Sequence, residues 1–169
     1  MEKLPFLKNQ GKVNVQERLR ILNKKQRHAV LATDADGQPY TSLVAFALTP
    51  DREGILFATP KKTGKYRNIM KNRKVSIMID TRSNSARGYM QSEALTILGT
   101  AIPVRRGKQW NEMAGILINK HPQLEEFVRA HSTALVLVAF KKVLHTGRFQ
   151  SVTAWELSEA PRLQGGASN

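Results

Sequence analysis

The chain has 169 residues, of which 41% are hydrophobic and 24% charged, and it contains no cysteine. These values are ordinary for one globular domain, and they exclude disulfides, thiolate catalysis and a cysteine-based zinc site. The 27 Lys and Arg residues exceed the 13 Asp and Glu residues, giving a formal net charge of +14 that favours phosphorylated or polyanionic partners. No apolar run approaches the roughly 20 residues of a membrane span, and residues 1–12 lack an apolar signal core, so we expect a cytoplasmic protein with no membrane association.

The first half of the chain predicts a helix followed by antiparallel strands. Asn14 and Glu17 resemble a helix capping box, and the turn-forming Asp34-Ala-Asp-Gly37 separates two apolar runs, which is typical of a β-hairpin. In chain order, the predicted elements are a helix over residues 14–27, strands over 29–33, 40–48 and 55–58, a helix from Thr63 to about Asn72 that buries Tyr66, Ile69 and Met70, and a strand over 74–81.

The second half alternates between strands and short helices. After a polar loop over residues 82–88, the predicted elements are a strand over 94–104, a helix that buries Trp110, Met113, Ala114, Leu117 and Ile118, a short helix from Pro122, a strand over 133–140 and a last strand containing Trp155. This order does not repeat as βαβ units, so it favours antiparallel pairing. We therefore expect a mainly β protein with short helices, folded as a closed or nearly closed antiparallel barrel over residues 14–160, with an N-terminal extension over 1–13 and a flexible tail over 161–169.

Residues 57–68 carry the most informative chemistry. A buried strand enters a turn rich in hydroxyls and lysines, and a helix begins at once. The start of a helix presents unpaired backbone N–H groups, so Thr63 and the amides after it can donate to a phosphate, while Lys62 and Lys65 supply positive charge. The alternative, a solvated basic turn that Thr63 merely caps, stays open on spacing alone.

The order of these segments resembles the pyridoxamine 5'-phosphate oxidase-like family of FMN-binding split barrels, over roughly residues 15–160. The resemblance rests on Gly37-Gln-Pro-Tyr40, Leu43-Val-Ala-Phe46, Phe57-Ala-Thr59, Thr63-Gly-Lys65 and Val75-Ser-Ile77. It implies an FMN-dependent oxidoreductase acting on a small molecule, and a homodimer with the cofactor at its interface.

The resemblance also implies a set of cofactor-binding residues. Thr59, Thr63 and Lys65 match the family's phosphate-binding positions. The strand segment from Ser42 to Ala45 would offer backbone groups to the flavin ring, with Ser42, Val44 and Ala45 as cofactor-binding residues. The other implied positions are Gly99, matching a glycine after a flavin-flanking strand, Gln91 as a polar contact, and Trp155 as an aromatic that reaches the flavin across the dimer.

The chain departs from the oxidase that names the family. Ser42, Ala47 and Gly64 stand where that enzyme has basic residues, and Trp155 is followed by Glu-Leu-Ser-Glu instead of the Arg-x-His substrate signature. Oxidation of pyridoxine phosphate is therefore not expected, and no side chain is predicted to be catalytic because the flavin itself carries a hydride transfer.

Three alternatives stay open at this point. Some split barrels bind haem through a histidine, here His145, and others bind a deazaflavin. The four histidines are not paired at helical spacing, so no metal site is expected. The third alternative is a nonenzymatic module that binds nucleic acid or another polyanion. The net charge of +14 favours it, whereas the spread of the basic residues over helices, turns and loops argues against it.

Overall fold

The structure, a computed structural model, describes residues 13–83, 88, 91–147 and 151–157. The predicted tail 161–169, residues 1–12 of the predicted extension and residues 84–87 of the predicted loop lie outside the described residues. In chain order the elements are α1 (Val15–Lys25), β1 (His28–Ala35), β2 (Gln38–Leu48), β3 (Gly54–Pro60), α2 (Gly64–Lys71), β4 (Lys74–Asp80), β5 (Ala94–Pro103), α3 (Lys108–Lys120), a 3₁₀ turn (Pro122–Leu124), α4 (Glu125–Arg129), β6 (Thr133–Gly147) and β7 (Ser151–Glu156).

The strands form one antiparallel sheet that closes on itself. Their order is β3-β2-β1-β4-β5-β6-β7, and β3 pairs a second time with the first half of β6. That second pairing closes six strands into a barrel and removes two open sheet edges. The expected mainly β barrel with short helices is therefore confirmed. Among the helices of the described chain, none combines the length and the hydropathy that a membrane crossing requires.

Local signals fix the starts of the helices and the first turn. The side chain of Asn14 accepts a hydrogen bond of 3.0 Å from the backbone N–H of Glu17, as the capping pattern predicts. Asp36 and Gly37 have φ angles of 61° and 80°, which makes the β1–β2 connection a two-residue type I′ turn. This turn fixes the register of the whole hairpin.

Alternate residues of the strands fill the barrel. Phe46, Phe57 and Phe140 are its largest buried side chains. A second apolar cluster lies outside the barrel wall, where α3 and α4 pack on β2, β3 and β6; its buried members are Ala47, Trp110, Ala114, Leu117, Val128 and Leu135.

The predicted burial is wrong at one helix position and too complete at three others, one of which is Tyr66 of α2, half-buried against the barrel core. Met70 is 50% exposed, because α2 turns only its Ile69 face towards the barrel. Met113 and Ile118 are half-buried at the border of the α3 stripe. The period was correct in both helices, but the width of the covered stripe depends on the neighbouring elements.

Strand β6 is longer than predicted. It continues past Phe140 to Gly147, and its second half pairs with β7 and with the start of β5. The register shifts between Leu98 and Gly99 of β5, which leaves Lys141 as the extra residue of a β-bulge. The two adjacent lysines break the apolar run, which is why the sequence predicted an end at Phe140.

The end of α3 is tied to α1 and to the barrel by Lys120. Its Nζ donates to Oδ1 of Asn23 at 2.8 Å and lies 3.6 Å from the centroid of the Phe46 ring. Burial, assisted by the positive charge of Arg27, lowers the pKa of Lys120 to about 7. Burial of Lys120 therefore destabilises the charged form of its amine.

We expect Lys120→Met to flatten the alkaline part of the stability profile. The unfolded chain holds the Lys120 proton up to about pH 10.5 and the folded chain only to about pH 7, so the free energy of unfolding of the parent should rise with pH across this window. With solvent screening, the rise should be about 1 kcal/mol. Urea unfolding at several pH values measures it, with the exposed Lys25→Met as the control; an unchanged profile in Lys120→Met would contradict the assignment.

Candidate functional site

The turn between β3 and α2 brings two threonine hydroxyls together. Thr59 is buried at the end of β3, and its Oγ1 lies 3.0 Å from Oγ1 of Thr63. Thr63 is the N-cap of α2, where its Oγ1 also donates to the carbonyl of Pro60 at 2.9 Å and accepts from the N–H of Tyr66 at 3.4 Å. The buried Thr59 thus fixes the position of the Thr63 hydroxyl through this hydrogen bond. The half-buried Thr63 stands where the unpaired amides of a helix start are presented.

Basic side chains surround this turn. Lys62 is exposed, Lys65 is half-buried in the first turn of α2, and Arg67 donates from Nη1 to the carbonyl of Lys62 at 3.1 Å. Arg67 therefore stabilises the turn through the backbone, while Lys62 and Lys65 supply further positive charge. Hydroxyl, helix start and two amines within one short segment form a suitable site for a phosphate.

A gap in the barrel wall lies beside this turn. β2 pairs with β3 only at Phe46, Ala47 and Leu48, and beyond that point β3 pairs with β6 alone. Residues 38–45 of β2 thus pair with β1 on one side, and no strand of the described chain pairs with their other side. This divergence is the split of the barrel, and it leaves an unpaired row of backbone groups.

The register decides which groups face the gap. The two-residue turn makes Ala35 and Gln38 a hydrogen-bonded pair, and the bond from the N–H of Phe46 to the carbonyl of Arg27 continues the same alternation. The N–H and C=O groups of Thr41, Leu43 and Ala45 therefore point away from β1 into the gap. Those of Ser42 and Val44 point towards β1, so of the three β2 residues implied by the resemblance only Ala45 presents its backbone there.

Two further side chains belong to this part of β2. The Ser42 hydroxyl is buried and has no hydrogen-bond partner among the described residues. Tyr40 is 47% exposed, and the end of its ring lies against Gly64, where an added Cβ would be 3.8 Å from Cζ. A buried hydroxyl without a partner costs free energy, which a bound acceptor or donor would recover.

Gln91 and Trp155 lie at the other end of the barrel. Pro60 of the threonine turn pairs with Thr133, whereas Trp155 pairs with Val143, ten residues or about 33 Å further along β6. Gln91 precedes Ala94, the end of β5 that pairs with Thr146. Neither residue is brought to the threonine turn within one chain, and Trp155 packs half-buried against the barrel core.

Gly99 has a role that its sequence context did not indicate. It lies within β5, at the bulge, and not after the strand. A Cβ at this position would be 2.5 Å from the carbonyl oxygen of Ala139. Gly99 therefore permits the close approach of β5 and β6.

The two buried histidines already use their Nε2 atoms. Nε2 of His145 lies 2.8 Å from Oε2 of Glu93, and Nε2 of His121 lies 2.9 Å from the carbonyl of Phe46. Burial lowers the pKa of His121 more than its backbone bond raises it, with Lys120 and Arg27 adding to the decrease, which favours the neutral ring. In the described part of the chain, no three His, Asp or Glu side chains cluster as a metal site would require.

Sequence reasoning missed Tyr40 and Thr41 as residues of the candidate site, and it did not single out Leu43 within the segment from Ser42 to Ala45. Tyr40 was part of the motif that carries the resemblance, and its place beside the hairpin turn was a usable signal. The orientation of the Thr41 and Leu43 backbone follows from counting residues from the Asp36-Gly37 turn. That the edge is unpaired depends on where β3 leaves β2, which no local pattern indicates.

Solved structures share this architecture. The chain matches a haem-binding protein from Mycobacterium smegmatis with a TM-score of 0.75 at 16% identity, covering 86% of this chain and 59% of that one. It matches HutZ, the haem storage protein from Vibrio cholerae, with a TM-score of 0.66 at 20% identity, covering 76% and 92%. It matches an FAD-binding protein from Mesorhizobium loti with a TM-score of 0.59 at 15% identity, covering 76% and 91%. At these identities the likeness shows the split-barrel fold.

The sequence comparisons give the family. None of the curated proteins matches the chain. The family model described as pyridoxamine 5'-phosphate oxidase matches residues 15–147, which include the hairpin, the gap, the threonine turn and the bulge. The chain therefore belongs to the pyridoxamine 5'-phosphate oxidase family and has its split-barrel fold.

Proposed function

We propose that this protein is an FMN-binding oxidoreductase that acts on a small molecule and works as a homodimer in the cytoplasm. The observation that carries the proposal is the convergence of the Thr63 cap and Lys65 on one turn beside the unpaired edge of β2. FMN has a phosphate at one end and, at the other, a ring with both hydrogen-bond donors and acceptors. The turn would bind the phosphate, and the unpaired edge of β2 would bind the ring.

The residues present fit such a cofactor. Thr63 and the first amides of α2 would hold the phosphate, with Lys62 and Lys65 balancing its charge. The backbone groups of Thr41, Leu43 and Ala45 would orient the ring, and the Ser42 hydroxyl would gain a partner. When bound, FMN supplies hydride or electron transfer, so the protein needs to supply only binding and orientation.

The outer face of the sheet supports a dimer. Leu43 is 64% exposed and Leu98 is 40% exposed. Leu43, Val30, Met78, Thr96 and Leu144 are cross-strand neighbours in one row of this face. Such a row is typical of a surface that another protein covers. In such a dimer, Gln91 and Trp155 of one copy, at the end of the barrel opposite the threonine turn, would lie beside the gap of the other copy.

Haem is the second candidate ligand, since two of the structural neighbours are a haem-binding and a haem storage protein. The interior of this barrel argues for the flavin. His145, the histidine considered for haem, has its Nε2 bonded to Glu93, and His121 bonds a backbone carbonyl. A histidine that bound the iron through Nε2 would have to break one of these bonds or be the exposed His28 or His131.

An absorbance spectrum of the purified protein, and of the protein titrated with FMN, haem or a deazaflavin, tests the proposal. We expect a flavin spectrum or saturable FMN binding, and light scattering on the same sample should give twice the mass of 19.0 kDa. A protein that does not bind FMN and develops an intense haem band would overturn the flavin assignment. A monomer would overturn the proposal of a cofactor site shared between two copies.

Lys65→Ala should weaken FMN binding. It deletes a charge-assisted partner of the phosphate, which corresponds to a loss of about 1.5–3 kcal/mol, or roughly 10- to 150-fold in Kd. The exposed Lys25→Ala on α1 removes the same charge away from the turn and should leave the affinity unchanged. Titration of both variants by flavin fluorescence measures the difference, and equal affinities would place the phosphate elsewhere.

A further inference from the structure

The fold gathers basic side chains that are scattered in the sequence. The backbone N–H of Lys61 donates to the carbonyl of Ser132 at 2.9 Å, and Nη2 of Arg106 donates to the carbonyls of Arg129 and Ala130 at 3.1 and 2.9 Å. Three segments, residues 61–67, 105–108 and 129–132, therefore lie side by side at one end of the barrel. We call this surface the cationic corner.

The cationic corner holds much of the excess positive charge. It contains seven cations that form no ion pair with any described residue: Lys61, Lys62, Lys65, Arg67, Arg105, Arg106 and Lys108. They equal half of the formal net charge of +14. All except Lys65 are exposed, and Arg129 beside them is paired with Glu125. The seven cations thus lie on two of the three adjacent segments.

Parts of this surface are fixed in place. The guanidinium of Arg106 lies 3.8 Å from the centroid of the Trp110 ring while it bonds the two carbonyls of the α4 end. Arg67 is held by the carbonyl of Lys62. Because these contacts use only carbonyls and a ring, both side chains keep their charge uncompensated. A surface of this kind attracts anions over a distance.

An exposed aromatic ring adjoins the positive charges. Tyr40 lies against Gly64, at the start of the helix that carries Lys65 and Arg67. A surface that combines backbone-tracking cations with an exposed aromatic is typical of proteins that bind single strands, because each base offers a face for stacking. An acidic peptide or an anionic membrane would use the charges and leave the ring without a role.

We propose that the cationic corner binds single-stranded nucleic acid, with Arg105, Lys108 and Lys61 on its phosphates and Tyr40 stacked on a base. The proposal does not depend on the flavin assignment. Arg105 lies on the β5–α3 connection and Lys108 is the first residue of α3. Both are outside the threonine turn, so their variants separate the two activities.

The test is fluorescence anisotropy with a labelled single-stranded oligouridine at several salt concentrations. Reversing both charges in Arg105→Glu/Lys108→Glu should weaken binding about tenfold and reduce the salt slope by about 1.4, which is 0.7 for each lost phosphate contact on a single strand. Lys24→Glu/Lys25→Glu makes the same charge change at exposed positions of α1 and should change the affinity less than about twofold. The FMN titration should be unaffected in both variants.

Two further measurements decide the class of partner. Tyr40→Ala should weaken the oligouridine complex at least about fivefold, whereas Tyr40→Phe should restore it, because stacking needs only the ring. Polyglutamate and phosphatidylglycerol vesicles should bind more weakly than the oligouridine. Equal losses in the two charge-reversal variants, tighter binding of either competitor, or indifference to Tyr40→Ala would overturn the proposal. Arg105→Gln/Lys108→Gln replaces the first variant if circular dichroism shows that it is unfolded.

Discussion

Gly99→Ala should be among the most destabilising single-methyl additions in this chain. The new Cβ would lie 2.5 Å from the carbonyl oxygen of Ala139 and 2.8 Å from Cγ1 of Val138. The first of these atoms is backbone, so relief requires β5 and β6 to separate at the bulge. We expect a loss of about 3 kcal/mol in the free energy of unfolding, at the upper end of what overpacking usually costs.

Gly115→Ala provides the matched control. It adds the same methyl group on an exposed position of α3, where an added Cβ meets nothing within 4 Å. Because alanine favours the helix, this variant should be more stable by about 0.5–1 kcal/mol. Urea unfolding followed by circular dichroism measures both. A Gly99→Ala protein as stable as the parent would mean that the two strands are not in close contact at this position.

Gly99 illustrates a limit of sequence reasoning. Its place in the family motif was visible, but its reason was not, because the atom that excludes a side chain belongs to a residue forty positions later. The same limit applies to β6. The pair Lys141-Lys142 ends an apolar run, and only the bulge and the pairing with β7 show that the strand continues.

The features that could be predicted are those set by neighbouring residues. Asn14 caps α1, Asp36-Gly37 turns the hairpin, and Thr63 caps α2, and each rests on contacts within three residues. The antiparallel barrel followed from the order of such elements. In the candidate site, the hydroxyl and lysine turn was predictable for the same reason. The unpaired edge of β2 was not, since it depends on where β3 leaves β2 while it stays paired with β6.

The cationic corner is a third feature that the sequence alone did not predict. Along the sequence, Lys61 and Arg105 belong to different turns and Arg129 ends a helix, so no single element is basic enough to indicate a nucleic-acid surface. The closure of β3 on β6 places these turns at the same end of the barrel. A property of the surface was therefore decided by the topology.

Glu93→Ala should cost about 3 kcal/mol in the free energy of unfolding, because it removes the centre of a partly buried network. Oε2 of Glu93 accepts from Nε of Arg18 at 2.9 Å and from Nε2 of His145 at 2.8 Å, and its other oxygen pairs with Nη2 of Arg18. An ionised carboxylate can only accept, so His145 donates through Nε2. Without Glu93, a buried imidazole N–H and a half-covered guanidinium would lose their partners.

The pH dependence identifies the charge as the source of this effect. Burial raises the pKa of Glu93, but the hydrogen bonds and charges of Arg18 and His145 outweigh it, so the pKa lies below its ordinary value of 4.5. The unfolded chain therefore takes up this proton first as the pH falls. The contribution of Glu93 should be complete above pH 4.5 and should be lost as the pH drops through the lowered pKa.

Glu93→Gln and Glu17→Gln are the comparison that tests this. The first keeps an acceptor of the same shape without the charge, so its deficit against the parent should be present at neutral pH and should shrink in acid. The second removes a half-buried carboxylate that pairs with Arg20 on the surface of α1, and this substitution should leave the free energy of unfolding almost unchanged at every pH. If the deficit of Glu93→Gln did not change with pH, the network would be stabilised by shape alone, and the link between α1 and the second half of β6 would not depend on an ionised Glu93.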